Sequence, residues 1–194
     1  MHGMPDPRGA SRAGVTGIVA RWQPWTGDGL EHLVVHERPD GVAAESVVVA
    51  DGFAARYRIV CDAGWRTRRL EVALVGAERG LVLAGDGRGH WTDAAGAALV
   101  ALDGALDVDL TATPFTNTLP IRRLGLAAGR TAEILTVYVR VPELSVEADR
   151  QRYTCLEPMR RYRFESVDGD FTRDLEVDAH GLIVVYPGLF RRVG

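Results

Sequence analysis

The stretch FAARYRIVCD, residues 53–62, carries the pattern that decides the fold. Charged side chains at Arg56, Arg58 and Asp62 fall on one set of alternate positions. The other set is apolar or aromatic, at Phe53, Ala55, Tyr57, Ile59 and Cys61. Because successive side chains of a β-strand point to opposite faces, this alternation predicts a strand with one buried face.

The same alternation recurs along the chain, in TRRLEVALVG (67–76), RRYRFES (160–166) and FTRDLEVDA (171–179). Turn-forming pairs such as Asp51–Gly52 and His180–Gly181 separate the runs. Short strands joined by such turns predict an all-β fold, an antiparallel roll or an incomplete barrel. Two further stretches, 133–141 and 182–190, are apolar on both faces, which indicates strands covered on both sides.

Helices are scarce, and one or two short ones are expected. Pro120 suits a first helical turn over residues 119–126, with Thr118 as a cap and Gly125 as an end. The alanine-rich residues 93–102 are the second candidate. A large twisted sheet curls. Its concave face is then filled by its own side chains, plugged by a helix or left as a pocket.

Length and composition limit the function classes. A chain of 194 residues with a net charge of −3 predicts one β-roll domain, residues 15–194, after a flexible tail, residues 1–14. A protein with this net charge is not attracted electrostatically to nucleic acid. Without an apolar leader or a long apolar run, a cytoplasmic protein with no membrane span is expected. The spacing of the cysteines and histidines predicts neither a metal site nor a cofactor.

The stretch LDGALDVDLTATPFTNTLPIRRL, residues 102–124, concentrates the candidate site residues. On a strand, Asp107 and Asp109 share one face, where they either meet solvent or line a wet site. Asn117 suits the turn that follows Pro114. Arg122 and Arg123 could pair with the aspartates or hold an anionic or hydroxyl group.

Three aromatic residues complete the candidate set. Trp65 and Trp91 follow turn sequences, and Tyr138 lies in a stretch that is apolar on both faces. Flat aromatic rings with one polar atom suit sugar rings and lipid headgroups, although they are also ordinary core residues. The tentative ligand-binding residues are therefore Asp107, Asp109, Asn117, Arg122, Arg123, Trp65, Trp91 and Tyr138.

The blocks TPFTNTLPIRR, QRYTCL, YRFES and LEVDAHGLIVVYPGLFRR resemble a bacterial family named putative glycolipid-binding, formerly a domain of unknown function. DAGWRTRRLEV and GHW match its first half, so the likeness spans residues 18–192. The resemblance implies a spiral β-roll around an apolar cavity, similar in shape to lipoprotein carriers. Those carriers are exported, whereas no signal peptide is evident here.

The sequence leaves three hypotheses about function, which belong to different classes. The leading hypothesis is a non-catalytic protein that binds an amphipathic small molecule or lipid in the roll. The alternative is an enzyme, a hydrolase or isomerase, with Asp107 or Asp109 as acid or base and Arg122 as the anion partner. The third is a structural or regulatory module with no ligand. No sequence motif decides whether the chain is an enzyme, and the residues favour binding.

Overall fold

The structure, a computed structural model, describes residues 17–194. These residues form fourteen strands and one α-helix, α1 (Thr118–Leu124). The strands are β1 (Ile18–Pro24), β2 (Gly29–Arg38), β3 (Gly41–Ala50), β4 (Phe53–Asp62), β5 (Thr67–Leu74), β6 (Gly80–Gly85), β7 (Trp91–Thr92), β8 (Asp107–Leu110), β9 (Thr131–Val139), β10 (Val146–Glu157), β11 (Arg161–Ser166), β12 (Thr172–Val177), β13 (Ile183–Tyr186) and β14 (Phe190–Arg192).

All fourteen strands belong to one open sheet, as an all-β roll requires. The order runs from β7 back to β1 and then from β14 back to β8, so the pairing of β1 with β14 joins the two halves. Within the described residues the pairing is antiparallel except between β8 and β9, which are parallel. The backbone N–H of Thr67 donates to the carbonyl oxygen of Leu106 at 2.9 Å. This bond holds the chain just before β8 against the start of β5.

The predicted alternation is confirmed where it was strongest. In β4, Ala55, Tyr57, Ile59 and Cys61 are buried, while Arg56 and Arg58 are exposed. Tyr162 and Phe164 of β11 and Leu175 and Val177 of β12 are buried in the same way. The turns also fall where glycine predicted them. Gly52, with φ 82°, links β3 to β4, and Gly181, with φ 77°, links β12 to β13.

The segment between β8 and β9 fills the inside of the roll. A 3₁₀ turn, Phe115–Asn117, leads directly into α1. Phe115 and Leu119 pack in the core of the first half of the sheet, and Ile121 packs in the core of the second half. Of the three possibilities for the concave face, the described residues therefore show a helical plug between the two cores.

The helix predictions need two corrections. Thr118 is the first residue of α1, and its hydroxyl has no hydrogen-bond partner among the described residues, so it is not a side-chain cap. Gly125, with φ 53°, does end the helix. The second candidate helix shrinks to one 3₁₀ turn, Val100–Leu102. The predicted tail lies outside the described residues, and the domain boundary at residue 15 stays a prediction.

Candidate functional site

A cleft of about 450 Å³ opens beside the segment that follows β8. We call it the polar cleft, and its lining draws on β8, the 3₁₀ turn, β9, β10, β11, β13 and β14. It includes Asp109, Asn117, Tyr138, Gln151, Tyr186 and Phe190. The volume lies within the range of small-molecule sites, roughly 300–1,000 Å³. Three residues predicted from the sequence, Asp109, Asn117 and Tyr138, thus meet in one cavity.

Asp109 supplies one of the three carboxyl groups that line the polar cleft, and the other two belong to Glu147 and Asp149. The hydroxyl of Thr116 donates to its Oδ1 at 2.8 Å, and Nε2 of Gln151 donates to its Oδ2 at 2.7 Å. Burial raises the pKa of Asp109, because these neutral donors only partly replace lost water. The side chain is therefore fixed in place by neutral groups at the wall of a cavity.

Asn117 ties the 3₁₀ turn to β10. The hydroxyl of Tyr153 donates to its Oδ1 at 2.9 Å, and its Nδ2 donates to the carbonyl oxygen of Pro114 at 3.4 Å. Its φ is −65°, so the left-handed conformation that asparagine tolerates is not the reason for its presence. The amide instead serves as a buried acceptor and donor between two elements.

Aromatic rings form one wall of the polar cleft. Phe164 lies edge-to-face with Phe171 at 5.9 Å and with Tyr186 at 6.3 Å, measured between ring centroids. Phe190 continues the series at 6.5 Å from Tyr186. Each of these rings contributes to the lining. Such a wall offers the apolar faces and edges of several rings next to the polar atoms of Asp109.

A second, apolar cavity of about 200 Å³ adjoins the polar cleft, and we call it the apolar slot. Thr111 and Phe190 line both cavities, which makes the two neighbours. The rest of the slot is aliphatic or aromatic with one exception, and includes Trp22, Leu30, Val48, Phe53 and Val141. The exception is Glu31 of β2.

Glu31 points into the core side of the sheet, where only 3% of the residue is exposed. Its Oε1 accepts hydrogen bonds from the hydroxyls of Ser46 at 2.8 Å, Tyr57 at 2.6 Å and Thr113 at 2.9 Å. Its Oε2 is buried and has no partner within residues 17–194. Burial raises the pKa of Glu31 from 4.5 to about 7, and the three hydroxyl donors oppose this shift.

Asp107 and Arg123 lie together next to Asp109 but do not line the polar cleft. The guanidinium Nε of Arg123 donates to Asp107 Oδ1 at 3.0 Å, and its Nη2 donates to Oδ2 at 2.5 Å. Asp107 is completely buried. This bidentate ion pair fastens α1 to β8, which is one of the two roles that the sequence left open for these residues.

Arg122, Trp65 and Trp91 lie away from both cavities. Arg122 pairs with Glu37, with Nη2 at 2.8 Å from Oε2, and its Cζ lies 4.4 Å from the centroid of the Trp65 ring. The indole of Trp91 is buried and donates to the carbonyl oxygen of Ala105 at 2.9 Å. The structure therefore gives these three side chains contacts with the fold, outside the linings of both cavities.

Two buried polar residues of the site, Glu31 and Gln151, were not predicted from the sequence, although each carries a signal. In GLEHLVVHER (29–38), Glu31 occupies the same alternate positions as Leu33 and Val35, which are buried. In β10, Gln151 likewise shares a face with Tyr153 and is buried. A polar residue on the apolar face of a strand is the recognisable sign, because burying it requires specific partners.

A larger hollow, about 630 Å³, lies against the outer side of β2–β6. Its lining includes Glu45, Arg58 and Glu71, and Arg58 Nε contacts Glu45 Oε1 at 3.0 Å. Paired, exposed charges on an outer strand face are typical of a solvated surface. The polar cleft and apolar slot are the stronger candidates, because they combine buried polar groups with apolar walls.

Among residues 17–194, no group of three or more His, Cys, Asp or Glu side chains is placed to hold a metal ion. In the same part of the chain, no helix has the length and apolar character needed to cross a membrane.

The comparisons with known proteins agree with each other. A family model described as putative glycolipid-binding matches residues 19–192. The crystal structure of a DUF1089 family protein from Pseudomonas aeruginosa is 38% identical, with a TM-score of 0.74. The match covers 89% of this chain and 95% of that one. None of the curated proteins matches the chain.

Proposed function

The chain belongs to the putative glycolipid-binding family, and we propose that it is a non-catalytic protein that binds an amphipathic ligand, a glycolipid or another lipid. One observation carries this proposal: the polar cleft and the apolar slot adjoin and share Thr111 and Phe190. A ligand with a polar end and a hydrocarbon end matches this pair of cavities, with its headgroup in the cleft and its chain in the slot.

The polar cleft suits a group that carries several hydroxyls. Gln151 Nε2 bridges Asp109 and Asp149, at 2.7 and 3.0 Å from their Oδ2 atoms, so two carboxyl groups stand side by side as acceptors. The aromatic wall of Phe164, Tyr186 and Phe190 supports the apolar face of a ring. Sugar rings present both features, hydroxyls at the edge and C–H groups on the face.

For the site residues predicted from the sequence, we propose two roles. Asp109, Asn117 and Tyr138 contact the headgroup from the wall of the polar cleft. Asp107 and Arg123 brace the strand behind it. Arg122, Trp65 and Trp91 have no part in this proposal, because they lie outside both cavities. The cytoplasmic location expected from the sequence belongs to the proposal, and cell fractionation tests it.

The test is calorimetric titration with decyl maltoside below its micelle concentration. Asp109→Asn should weaken binding about tenfold, since a hydrogen bond to a charged group contributes about 1.5–3 kcal/mol. Ala50→Leu, which fills part of the slot, should weaken it as well. The matched control is Ala54→Leu, on the outer face of the neighbouring strand and outside both linings, which should bind like the wild type.

Native mass spectrometry of protein purified from cells gives the complementary readout. A co-purified ligand shows as additional mass on the protein. If this additional mass is lost in Ala50→Leu but kept in Ala54→Leu, the ligand lies in the slot. If neither decyl maltoside nor a panel of lipid extracts binds the wild type, the proposal is wrong. If Asn117→Ala lowers stability but leaves ligand binding unchanged, the segment has a structural role instead.

One observation favours the enzyme alternative as a second candidate: burial raises the pKa of Asp109 at a cavity wall, as an acid catalyst needs. Its proposed partner Arg122 pairs with Glu37 instead, which weakens that reading. Incubating the protein with glycosides and lipid esters, with Asp109→Asn as the control, distinguishes the two. Turnover that this substitution abolishes would replace binding by catalysis.

A further inference from the structure

We propose that Glu31 is a ligand-binding residue of the apolar slot, and that its free Oε2 hydrogen-bonds a hydroxyl group carried by the hydrocarbon part of the ligand. This inference rests on the proposed function and names the class of ligand. A hydroxylated acyl or alkyl chain is selected over a plain one.

A carboxyl group is unusual in a slot whose lining is otherwise largely apolar. Of the described residues that line the slot, Glu31 is the titratable one, and the other polar side-chain atoms belong to Thr111 and to the Trp22 indole, which donates to the carbonyl oxygen of Ile183 at 2.7 Å. Thr111 is already engaged, because its hydroxyl accepts from the backbone N–H of Val141 at 3.0 Å. Among the slot-lining side chains in the part of the chain that the structure describes, Glu31 thus carries the polar atom, Oε2, that still lacks a partner.

The other carboxyl oxygen is fully committed. Three hydroxyls, from Ser46, Tyr57 and Thr113, donate to Oε1 and come from β3, β4 and the segment after β8. These bonds fix the carboxyl group, so Oε2 cannot turn away to find water. A buried polar atom without a partner destabilises the free protein, and a ligand that satisfies it removes that penalty on binding.

A hydroxyl group is the partner that fits Oε2 in both protonation states. Burial brings the pKa of Glu31 to about 7, so both forms occur near neutral pH. A hydroxyl donates to the carboxylate and accepts from the carboxylic acid, whereas an ester carbonyl can only accept. Tyr57 is the titratable group in contact with Glu31, and its pKa is held well above its usual range by burial, so it stays a donor.

A matched set of monoacylglycerols tests the inference: the decanoyl compound and its analogues with a hydroxyl at the third, sixth or tenth carbon. Each is titrated into the wild type at pH 6 and at pH 8. At least one hydroxylated compound should bind about tenfold more tightly than the plain one at both values, which corresponds to about 1.4 kcal/mol. The plain compound should bind more weakly at pH 8, because it covers an ionised, unpaired carboxylate.

Two variants separate recognition from folding. Glu31→Met should abolish the preference while the plain compound still binds. Glu31→Gln keeps the acceptor for the three hydroxyls and places an amide donor at the Oε2 position, so it should retain the preference. Binding of the plain compound without any preference in the wild type would overturn this inference and leave the proposed function standing. Failure of every compound to bind would overturn both.

Discussion

Asp107 and Glu31 are two buried carboxyl groups that the fold treats in opposite ways. Asp107 of β8 faces Arg123 of α1, which donates to both of its oxygens. Glu31 of β2 receives three hydroxyl donors on one oxygen and none on the other within the described residues. One charge is neutralised by a cation, and the other is only solvated by hydroxyls.

The difference shows how a structural acid can be told from one kept for binding. In the buried pair of Asp107 and Arg123 both carboxyl oxygens already accept from the guanidinium, so the pair fastens two elements together. The carboxyl group of Glu31 has one committed and one free oxygen, and we propose that a ligand completes this site.

Breaking the ion pair should have the largest effect on stability. Arg123→Met leaves Asp107 as an uncompensated buried charge, which should lower the free energy of unfolding at neutral pH by about 3–5 kcal/mol. Chemical denaturation measures it. The matched control is Arg163→Met, which breaks the exposed pair between Arg163 and Asp174, 2.8 Å apart, and should change stability very little. Equal losses in the two variants would contradict the distinction.

Removing the charge of Glu31 should instead raise the stability at alkaline pH relative to the wild type. Folding raises the pKa of Glu31 from 4.5 to about 7, so the stability linked to its proton is present below pH 4.5 and lost as the pH rises through 7. Glu31→Gln has no such dependence. Its stability relative to the wild type should therefore grow by about 2–3 kcal/mol between pH 5 and pH 8. Parallel stability profiles of the two proteins would show that Glu31 is not held in this way.

Removing one hydroxyl donor should give the smallest change and sharpen the comparison. Tyr57→Phe deletes the 2.6 Å bond to Glu31 and should cost about 1 kcal/mol at pH 6. The loss should increase above pH 7, because the ionised form of Glu31 needs the donor more. Thermal unfolding across this pH range measures it. A loss that shrinks with rising pH would mean that Tyr57 does not support the carboxylate.

Periodicity was sufficient for the strands because burial acts on each strand locally. In β4 the apolar positions from Ala55 to Cys61 are buried as the alternation predicts. Periodicity could not predict the parallel pairing of β8 with β9, since the pattern of a strand carries no information about which strand pairs with it. The plug formed by Phe115 and α1 was likewise one of three open possibilities until the two halves of the sheet were placed around it.

The residues of the candidate site were likewise predicted only in part from the sequence. Asp109, Asn117 and Tyr138 were identifiable as polar or aromatic residues in the densest segments, and they do line one cleft. Arg122 follows Asn117 by little more than one turn in the sequence, yet it points to Glu37 and the ring of Trp65. The direction of a side chain on a short helix depends on how that helix packs, which sequence spacing alone does not fix.

The sequence by itself determined the all-β class, the faces of the strands, the turns between them and the membership of a family. These properties follow from local patterns, because alternation and glycine conformations act over a few residues. Only the tertiary structure decided that Asp107 is a structural ion-pair partner, and that Glu31 lines a slot beside the cleft of Asp109. Such roles depend on partners far apart in the chain: Thr113 reaches Glu31 across 82 positions, and its hydroxyl helps to fix the carboxyl group.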